Sequence, residues 1–521
     1  MGRSECVDQY DYDAIVIGAG FGGLGAALTL AESGLKVGLL EALNYPGGCA
    51  STFKRRGYAF ESGATLFSGF ADGMYFDQVI RRYQLPVTID WIDPLVEIRT
   101  PEWNLPVGRS REALVEALVA QGVPEDALRA FLEMQRSVAD ILWGLFDDPD
   151  LLPPWNAAAL LRHLTRLPRY TKLVSLVGRS LYSVLKRYNL ENEEPLTTFL
   201  NALCQITIQT NLKDAEAPFA LATMDYYFRG TGHVRDGIGS LATSMVTAFE
   251  RAGGTMQYTT RVKGLEQSNH GWEVKTTKGS LKSRFVLGNL LPHAAEKLCP
   301  QAPNGRRDAL KKRLDSGWGA AMLYLAINHH EGLPAKATHI EAIRDPKQPF
   351  IEGNHIFASL SGLNDEDRAP EGQRTLTVST HVPFPKYSAL SGEEQGHYIA
   401  SIQASMHETL DALAPELGDH IAFSMTASPR TFERFTKRPL GRVGGVPRRV
   451  GLQNYLTIGP TEYAPGFFLV GDSAFPGQST LACALGGHRA ATKVLRKVGE
   501  VKLIEPMRPE APETSAPQHL P

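Results

Sequence analysis

The chain has 521 residues, of which 43% are hydrophobic and 21% are charged, and its formal net charge at pH 7 is −2. This length is too great for one ordinary hydrophobic core, so we expect more than one structural domain. The near-neutral charge gives no overall attraction to nucleic acid, and the five scattered cysteines have neither the spacing of a metal site nor that of a disulfide framework.

The N-terminal segment MGRSECVDQYDYD is polar and acidic, a composition that is typical of neither signal peptides nor transit peptides. No run of about 18 apolar residues follows, so no transmembrane helix is predicted. Together with the unpaired cysteines, this predicts a cytoplasmic protein.

The next stretch has the pattern of strand, glycine turn, helix and strand. The run YDAIVI is typical of a buried parallel strand, and it leads into Gly18, Gly20 and Gly23 in the spacing G-x-G-x-x-G. GLGAALTLAESG then has helical periodicity, and KVGLLE is a second buried strand that ends at Glu41. This order predicts a dinucleotide-binding unit whose glycine turn, including Gly22, lies against a diphosphate at the helix N-terminus.

Glu41 and the residues after it distinguish between dinucleotides. A carboxylate at this strand end accepts hydrogen bonds from ribose hydroxyls and disfavours a 2′-phosphate, which argues against NADP. The pair Gly47–Gly48 follows where a nicotinamide-dependent dehydrogenase continues into a helix. Backbone of this kind favours the diphosphate and ribityl chain of FAD. The same segment contains the further candidate FAD contacts Cys49, Lys54, Gly63, Ala64 and Thr65.

A second FAD-type segment lies near the C-terminus. The run GFFLVGD is predicted as a buried strand that ends at Gly471 and Asp472, and a helix begins near Thr480 and Leu481. An acidic side chain at a strand end suits the ribityl hydroxyls, and a helix N-terminus suits the pyrimidine oxygens of the flavin. Two such segments favour FAD over NAD.

Four segments together resemble the phytoene desaturase and carotenoid isomerase family of FAD-dependent oxidoreductases: GAGFGGLGAALTLAESGLKVGLLE, PGGCASTFKRRGYAFESGAT, NDEDRAPEG and GFFLVGDSAFPGQS. Of these, PGGCASTFKRRGYAFESGAT most resembles the bacterial carotenoid 3,4-desaturases. The resemblance implies that FAD contacts the positions matching Glu41, Gly48, the backbone near Val262, and Asp472. It also implies a lipophilic polyene substrate and hydride transfer from a substrate C–H bond to flavin N5.

The resemblance further implies an α/β fold, in which a Rossmann-type FAD-binding domain of the glutathione-reductase and amine-oxidase kind carries an inserted α+β substrate domain. A strand through Val262, followed by strands over GWEVKTT and SRFVLGN, is predicted to return the chain to the FAD-binding domain. This domain is expected at residues 10–100, 235–300 and 445–500, and the substrate and membrane-contact domain at 101–234 and 301–444. The proline-rich tail, 501–521, is predicted to be disordered because it has little apolar surface to bury.

Residues 151–190 differ from the rest of the chain in charge. They contain no Asp or Glu, and seven Lys or Arg residues are interleaved with leucines and aromatic residues at helical spacing. This pattern is typical of basic amphipathic helices on an anionic membrane surface, with leucines such as Leu161, Leu164 and Leu176 expected to insert shallowly, although a solvated helix face also fits it. It predicts peripheral membrane association and no nucleic-acid partner.

No nucleophile–base pair is evident, which is compatible with flavin chemistry on a polyene in a dry apolar tunnel. His233 and Asp236, in TGHVRDGIGSL, are candidates for proton transfer, and an Arg235–Asp236 ion pair is the competing interpretation. The family has a Tyr-Pro and a Gly-Gly pair in this loop, which the chain lacks, so the substrate and the bond attacked stay open.

Cys49 marks another departure, because some relatives have an arginine after the glycine pair. Lys54 or Arg55 is therefore expected to supply the charge for the phosphate. Neither a cysteine nor a histidine stands where covalent attachment can be argued, so non-covalent FAD is expected. The chain has no second G-x-G-x-x-G, so quinone or oxygen is the expected electron acceptor rather than a nicotinamide.

Other functions stay open beside desaturation. A cis–trans isomerase or a saturase of the same fold differs only in the hydrogen balance of its product. An amine oxidase is a second alternative, although an aromatic pair around the amine is then expected. A flavin-free escort of prenylated proteins is the non-enzyme alternative, and the intact Gly18, Glu41 and Asp472 argue against it.

Overall fold

A computed structural model describes residues 10–63, 65–146, 151–152, 155, 157–268, 271–300 and 305–499. The candidate contact Ala64 and the tail 501–521, predicted to be disordered, lie outside these residues. The basic stretch 151–190 is described except for residues 153, 154 and 156.

Strands from both ends of the chain meet in one sheet. Among the described residues this sheet has eight strands: β1 (Tyr12–Ile17), β2 (Val37–Leu40), β9 (Thr255–Gln257), β10 (Val262–Gln267), β11 (Trp272–Thr276), β12 (Gly279–Gly288), β18 (Thr461–Ala464) and β19 (Phe467–Leu469). β1 pairs in parallel with β2 and β12, and β12 pairs in parallel with β19. The strand predicted to run through Val262 is in fact two strands, because the backbone turns at Thr259, which has a φ of +52°.

The second sheet has the order β17-β13-β16-β15-β14-β6-β7 in the described part of the chain. Its strands are β6 (Val96–Arg99), β7 (Asn104–Val107), β13 (Trp318–Asn328), β14 (Thr338–Ile343), β15 (His355–Leu360), β16 (Gln373–Pro383) and β17 (Ile421–Ala427). β6 comes from the segment 10–100 but pairs with β14, so the chain enters the second sheet before residue 100. Short antiparallel pairs join β3 (Thr52–Arg55) to β4 (Tyr58–Glu61), and β5 (Ile89–Asp90) to β8 (His233–Val234).

Helices cover the first sheet and form a separate apolar layer beside the second. They are α1 (Phe21–Glu32), α2 (Tyr75–Tyr83), α3 (Arg111–Ala120), α4 (Glu125–Phe146), α5 (Ala157–Val174), α6 (Leu181–Leu185), α7 (Glu194–Ile208), α8 (Ala217–Thr223), α9 (Ile238–Arg251), α10 (Pro292–Leu298), α11 (Gly305–Asp315), α12 (Phe384–Ala389), α13 (Gly392–Leu413), α14 (Pro415–Gly418), α15 (Pro429–Thr436), α16 (Gln453–Leu456) and α17 (Thr480–Val498). In the described ranges, none of these helices combines the length and the apolar composition needed to cross a bilayer.

α1 is buried along almost its whole length, because it packs against α9 and α17 as well as on the sheet. Two of its glycines allow backbones from opposite ends of the chain to touch. A Cβ at Gly25 would lie 2.3 Å from the carbonyl oxygen of Ala484, and one at Gly22 would lie 2.6 Å from the nitrogen of Gly471. These contacts hold the glycine turn of the first half against the last strand and helix.

We therefore predict opposite effects of Gly-to-Ala substitution in two helices. Gly25→Ala should lower the free energy of unfolding by about 1–3 kcal/mol, because the new methyl group overlaps backbone that cannot move aside. In α13, Gly396 has nothing within 4 Å of its Cβ position. Gly396→Ala should raise stability by about 0.5–1 kcal/mol through helix propensity. Urea unfolding measures both, and equal effects of the two substitutions would contradict the proposed packing.

Candidate active site

A cavity of about 660 Å³ begins at the glycine turn between β1 and α1. Many of the residues predicted from the sequence as cofactor contacts line it together: Gly18, Gly20, Gly22, Glu41, Gly47, Gly48, Cys49, Gly63, Thr65, Val262, Asp472, Thr480 and Leu481. The cavity therefore brings together segments from the start, the middle and the end of the chain, at the carboxyl ends of the parallel strands, where ligands bind in open α/β sheets.

Three predicted residues lie elsewhere. A Cβ at Gly23 would come within 1.9 Å of the carbonyl oxygen of Gly18, so Gly23 allows the helix to begin close to the strand. Gly471, with a φ of +96°, turns the backbone before Asp472. Lys54 is exposed on β3 and does not line the cavity, so the prediction that it supplies charge for a phosphate is not supported by its position.

Glu41 lies directly after β2, with its carboxylate turned back toward the glycine turn. Oε2 accepts a hydrogen bond from Ala19 N at 2.8 Å, and Oε1 accepts one from Leu43 N at 2.9 Å. Burial raises the pKa of Glu41, and these backbone donors oppose the rise. A carboxylate has about four lone-pair sites, so the two oxygens can still accept hydrogen bonds from ribose hydroxyls.

Asp472, at the other end of this part of the cavity, is paired with a residue that sequence reasoning missed. Arg438 Nη2 lies 2.7 Å from Asp472 Oδ2, and both residues line the cavity. Arg438 is also close enough to the thiol of Cys49 to oppose the rise that burial causes in the pKa of that thiol. The positive charge expected near Cys49 therefore comes from a distant segment. Nothing in the local sequence FTKRPLGR distinguishes Arg438 from its basic neighbours.

α17 begins at the cavity wall. The side chain of Ser479 accepts a hydrogen bond from Ala482 N at 3.0 Å and so caps the helix. The hydroxyl oxygen of Thr480, in the first turn, is buried and has no partner within the described residues. This hydroxyl is available to a hydrogen-bonding ligand in the cavity, because an unpaired buried hydroxyl costs about 1–3 kcal/mol.

Asn289 is another residue that sequence reasoning missed. It directly follows β12 and lines the cavity. A Cβ at Gly20 would lie 2.4 Å from Asn289 Nδ2, and one at Gly471 would lie 2.3 Å from Oδ1. Its place at the carboxyl end of a strand beside β1 was the available signal, because the predicted strand SRFVLGN ends in this residue.

These features fit a flavin dinucleotide. The backbone of the turn at Gly20 and Gly22 lines the cavity, so a diphosphate can lie against it at the N-terminus of α1. Glu41 supplies acceptors at one end, while Asp472, the unpaired hydroxyl of Thr480 and the N-terminus of α17 lie at the other. The arrangement repeats the order of ribose, diphosphate and flavin along the cavity.

Beyond this part the cavity is largely apolar. Its lining there comes from α4, α7, α8, the turn after α8, and β15, and it includes Trp143, Ile206, Phe219, Ala222, Tyr226 and Phe357. His381, on β16, is the one histidine of the lining within the described chain. Burial and the nearby His355 lower the pKa of His381 to about 3, so its imidazole is neutral at physiological pH.

The two candidates for proton transfer do not line the cavity. His233 Nε2 lies 2.8 Å from Asp365 Oδ2 in a buried pair, and Asp365 Oδ1 accepts from Asp236 N at 2.8 Å. Although burial acts against it, the hydrogen bond from His233 holds the pKa of Asp365 at about 2. Arg235 pairs with Asp90 at 2.6 Å, so the expected Arg235–Asp236 pair is not formed. These hydrogen bonds join the segment that contains His233 and Asp236 to the connection between β15 and β16.

Comparison with known proteins agrees with the fold. Residues 16–83 match the family model of the NAD(P)-binding Rossmann-like domain. The chloroplastic prolycopene isomerase of Arabidopsis thaliana is 26% identical, with 94% of this chain and 83% of that protein covered. The neurosporene-forming phytoene desaturase of Cereibacter sphaeroides is 23% identical, with coverages of 89% and 91%. Among solved structures, a putrescine oxidase bound to putrescine has a TM-score of 0.61 at 16% identity, with coverages of 93% and 99%.

The structural match shows the fold alone, which is the amine-oxidase-like arrangement predicted from the sequence. The similarity to the isomerase and to the desaturase extends over most of both chains, and it confirms the resemblance carried by the four motifs. With its flavin-type Rossmann domain, the chain is an oxidoreductase, and over most of its length it is similar to prolycopene isomerases and phytoene desaturases.

Proposed function

We propose that the protein is an FAD-dependent desaturase of a carotenoid or a similar lipophilic polyene. The observation that carries this proposal is the continuity of the cavity. The same cavity that contains Glu41 and Asp472 extends to Trp143, Phe219 and Tyr226, so an apolar ligand and a flavin can lie in contact within it.

Bound FAD supplies the chemistry, by accepting a hydride from an activated C–H bond. The residues of the chain bind and orient the polyene and exclude water. Tyr226 donates a hydrogen bond to the carbonyl oxygen of Leu66 at 2.8 Å, which fixes its ring at the cavity wall. His381 is neutral and lies in the wall, so it adds no charge next to an apolar substrate.

Non-covalent attachment is part of the proposal. Cys49 and Cys483 both line the cavity, and burial raises the pKa of each thiol. A protonated thiol is a poor nucleophile, so neither cysteine is suited to forming a bond with the flavin. Acid precipitation should therefore release all of the flavin into the supernatant.

The assignment of FAD predicts a specific loss on changing Glu41. Glu41→Ala removes charge-assisted hydrogen bonds worth about 1.5–3 kcal/mol, or roughly tenfold to a hundredfold in FAD affinity. Glu462→Ala is the matched control. Glu462 belongs to the same sheet and pairs with Lys493 at 3.5 Å, but it does not line the cavity. Equilibrium dialysis measures both affinities, and unchanged FAD binding by Glu41→Ala would contradict the proposed site.

A cis–trans isomerase of the same class is the second candidate, because the Arabidopsis relative named an isomerase covers 94% of this chain. Product mass separates the two. We expect anaerobic incubation of the holoprotein with polyenes in liposomes to give a product lacking two hydrogens, in step with flavin bleaching. A rearranged product of unchanged mass would assign isomerisation instead, and a gain of two hydrogens would assign saturation.

We further propose that the protein docks on a membrane through α5. Ala159 is the buried residue of this helix, whereas Leu161, Leu164 and Leu167 are 64%, 63% and 55% exposed. These leucines recur at helical spacing and form one apolar face. Leu176, which the sequence grouped with the inserting leucines, is a core residue at 3% exposure and does not belong to that face.

The charge of α5 favours an anionic surface. Arg162, Arg166, Arg169 and Lys172 accompany the exposed leucines, and each basic side chain near such a surface contributes about 1 kcal/mol. α5 packs on α4, which supplies Trp143 to the cavity wall. Docking here brings the apolar end of the cavity near the bilayer, from which a polyene can enter without being hydrated.

Reversing this charge should abolish docking. We expect a variant in which four basic residues of α5 are changed to Glu to lose most of its binding to anionic liposomes, while its FAD content stays unchanged. The four residues are Arg162, Arg166, Arg169 and Lys172. The control changes four exposed basic residues of the other domain, Lys54, Arg55, Arg56 and Lys263, to Glu. Co-sedimentation at low and high salt measures both. Equal binding by the two variants would make α5 a solvated helix face.

Quinone or oxygen is the electron acceptor that we propose. The one G-x-G-x-x-G motif is part of the cavity already assigned to FAD, so the sequence offers no second site of this kind for a nicotinamide. Together with docking by α5, this corresponds to a cytoplasmic protein bound peripherally to the membrane, where lipophilic quinones are dissolved.

A further inference from the structure

Arg448 places a positive charge in the apolar part of the cavity. It lines the cavity and is 5% exposed. Its guanidinium lies over the rings of Phe219 and Phe475, at 5.1 and 5.7 Å from their centroids. Its side chain donates a hydrogen bond from Nη2 to the carbonyl oxygen of Pro476 at 2.9 Å. Unlike Arg438, it has no ion pair with any carboxylate of the described residues.

The backbone holds Arg448 in this position. Its N–H donates to the carbonyl oxygen of Ile208 at 3.0 Å, and its own carbonyl accepts from Glu216 N at 2.9 Å. Burial, with the nearby Arg313, lowers the pKa of Arg448 to about 9, so the group is still cationic at neutral pH. A buried cation without a counter-charge is unfavourable, and the two aromatic faces offset only part of that cost.

Two amide groups extend this polar region. The Oε1 atoms of Gln209 and Gln478 are buried without a partner in the part of the chain that the structure describes, and both residues line the cavity. Gln478 Nε2 donates to the carbonyl oxygen of Ile206 at 2.7 Å, so this amide lies beside the end of α7, where Arg448 is also anchored. A pure hydrocarbon offers Arg448 no acceptor. The two amide oxygens are themselves acceptors, so they need a donor such as water rather than the oxygen that Arg448 would bind.

We propose that Arg448 binds an electron-rich oxygen, a carboxylate or a conjugated carbonyl, at one end of an otherwise apolar ligand. The ligand is then an oxygenated polyene rather than a hydrocarbon, or a quinone, which has the same carbonyl chemistry. The proposal rests on the proposed function only for the apolar nature of the ligand. Arg448 is therefore a binding residue, whose guanidinium selects and orients the oxygen-containing end of the ligand.

Arg489 provides a matched control. It is also 5% exposed, lies over the ring of Phe475 at 5.4 Å, and donates from Nη2 to the carbonyl oxygen of Ile458 at 3.0 Å. It does not line the cavity. Arg489→Met thus removes a buried cation of the same kind without touching the ligand, whereas Arg448→Met removes the one that faces it.

The test titrates the purified holoprotein and both variants with three probes: retinoic acid, the corresponding hydrocarbon without the carboxylate, and a short-chain benzoquinone. Quenching of tryptophan fluorescence reports binding, because Trp143 lines the cavity. In Arg448→Met we expect affinity for retinoic acid to fall by about tenfold to a hundredfold, with the hydrocarbon unaffected. In Arg489→Met we expect no change for any probe.

If Arg448→Met loses affinity only for the benzoquinone, Arg448 still binds a ligand oxygen, and its ligand is then the electron acceptor. Equal losses for the acid and the hydrocarbon, or equal losses in the two variants, would overturn the proposal. So would a loss of flavin from Arg448→Met alone, because the guanidinium would then belong to the cofactor. Flavin content and product mass are measured separately, so a failure of the proposed function is recognised independently.

Discussion

The close contact between α1 and the last part of the chain is the constraint on which the site depends. Gly22 and Gly25 let the backbone of α1 touch the backbone at Gly471 and Ala484. This contact places the glycine turn, which begins one end of the cavity, beside Asp472 and α17, which form its other wall. A side chain at either glycine would overlap this backbone, so the close contact between the two ends of the chain depends on glycine at both positions.

The charges around the cavity follow a consistent division. In the part that fits the dinucleotide, each buried charge is matched, with Glu41 held by backbone donors and Arg438 paired with Asp472. In the apolar part, the lining is aromatic and aliphatic, His381 is neutral, and Arg448 has aromatic faces in place of a carboxylate. The two parts of the cavity therefore differ in how their buried charges are balanced: by backbone donors and an ion pair in one, and by aromatic faces in the other.

The parts of the site that could be predicted from the sequence are those formed within one short segment of the chain. The glycine turn, Glu41, and the strand end at Asp472 could be identified because each has a short-range signature of strand periodicity followed by glycine or acid. Arg438, Asn289 and Arg448 could not, because their roles arise from contacts between distant segments. The pairing of His233 could not be predicted for the same reason, since its partner Asp365 lies in the connection between β15 and β16. The exposure of α5 was predictable from its spacing, but the burial of Leu176 depends on tertiary packing.

The discontinuous first sheet has a consequence for biosynthesis. β1 emerges first from the ribosome, but its parallel partner β12 follows much later, and α17 is among the last elements to be made. Until then α1 has no complete surface to pack against, although almost all of its faces are apolar. Nascent chains with exposed apolar helices are prone to aggregate. Pairing of such distant segments also slows folding. The nascent chain is accordingly expected to need chaperone protection of α1, with flavin incorporation confined to the finished polypeptide.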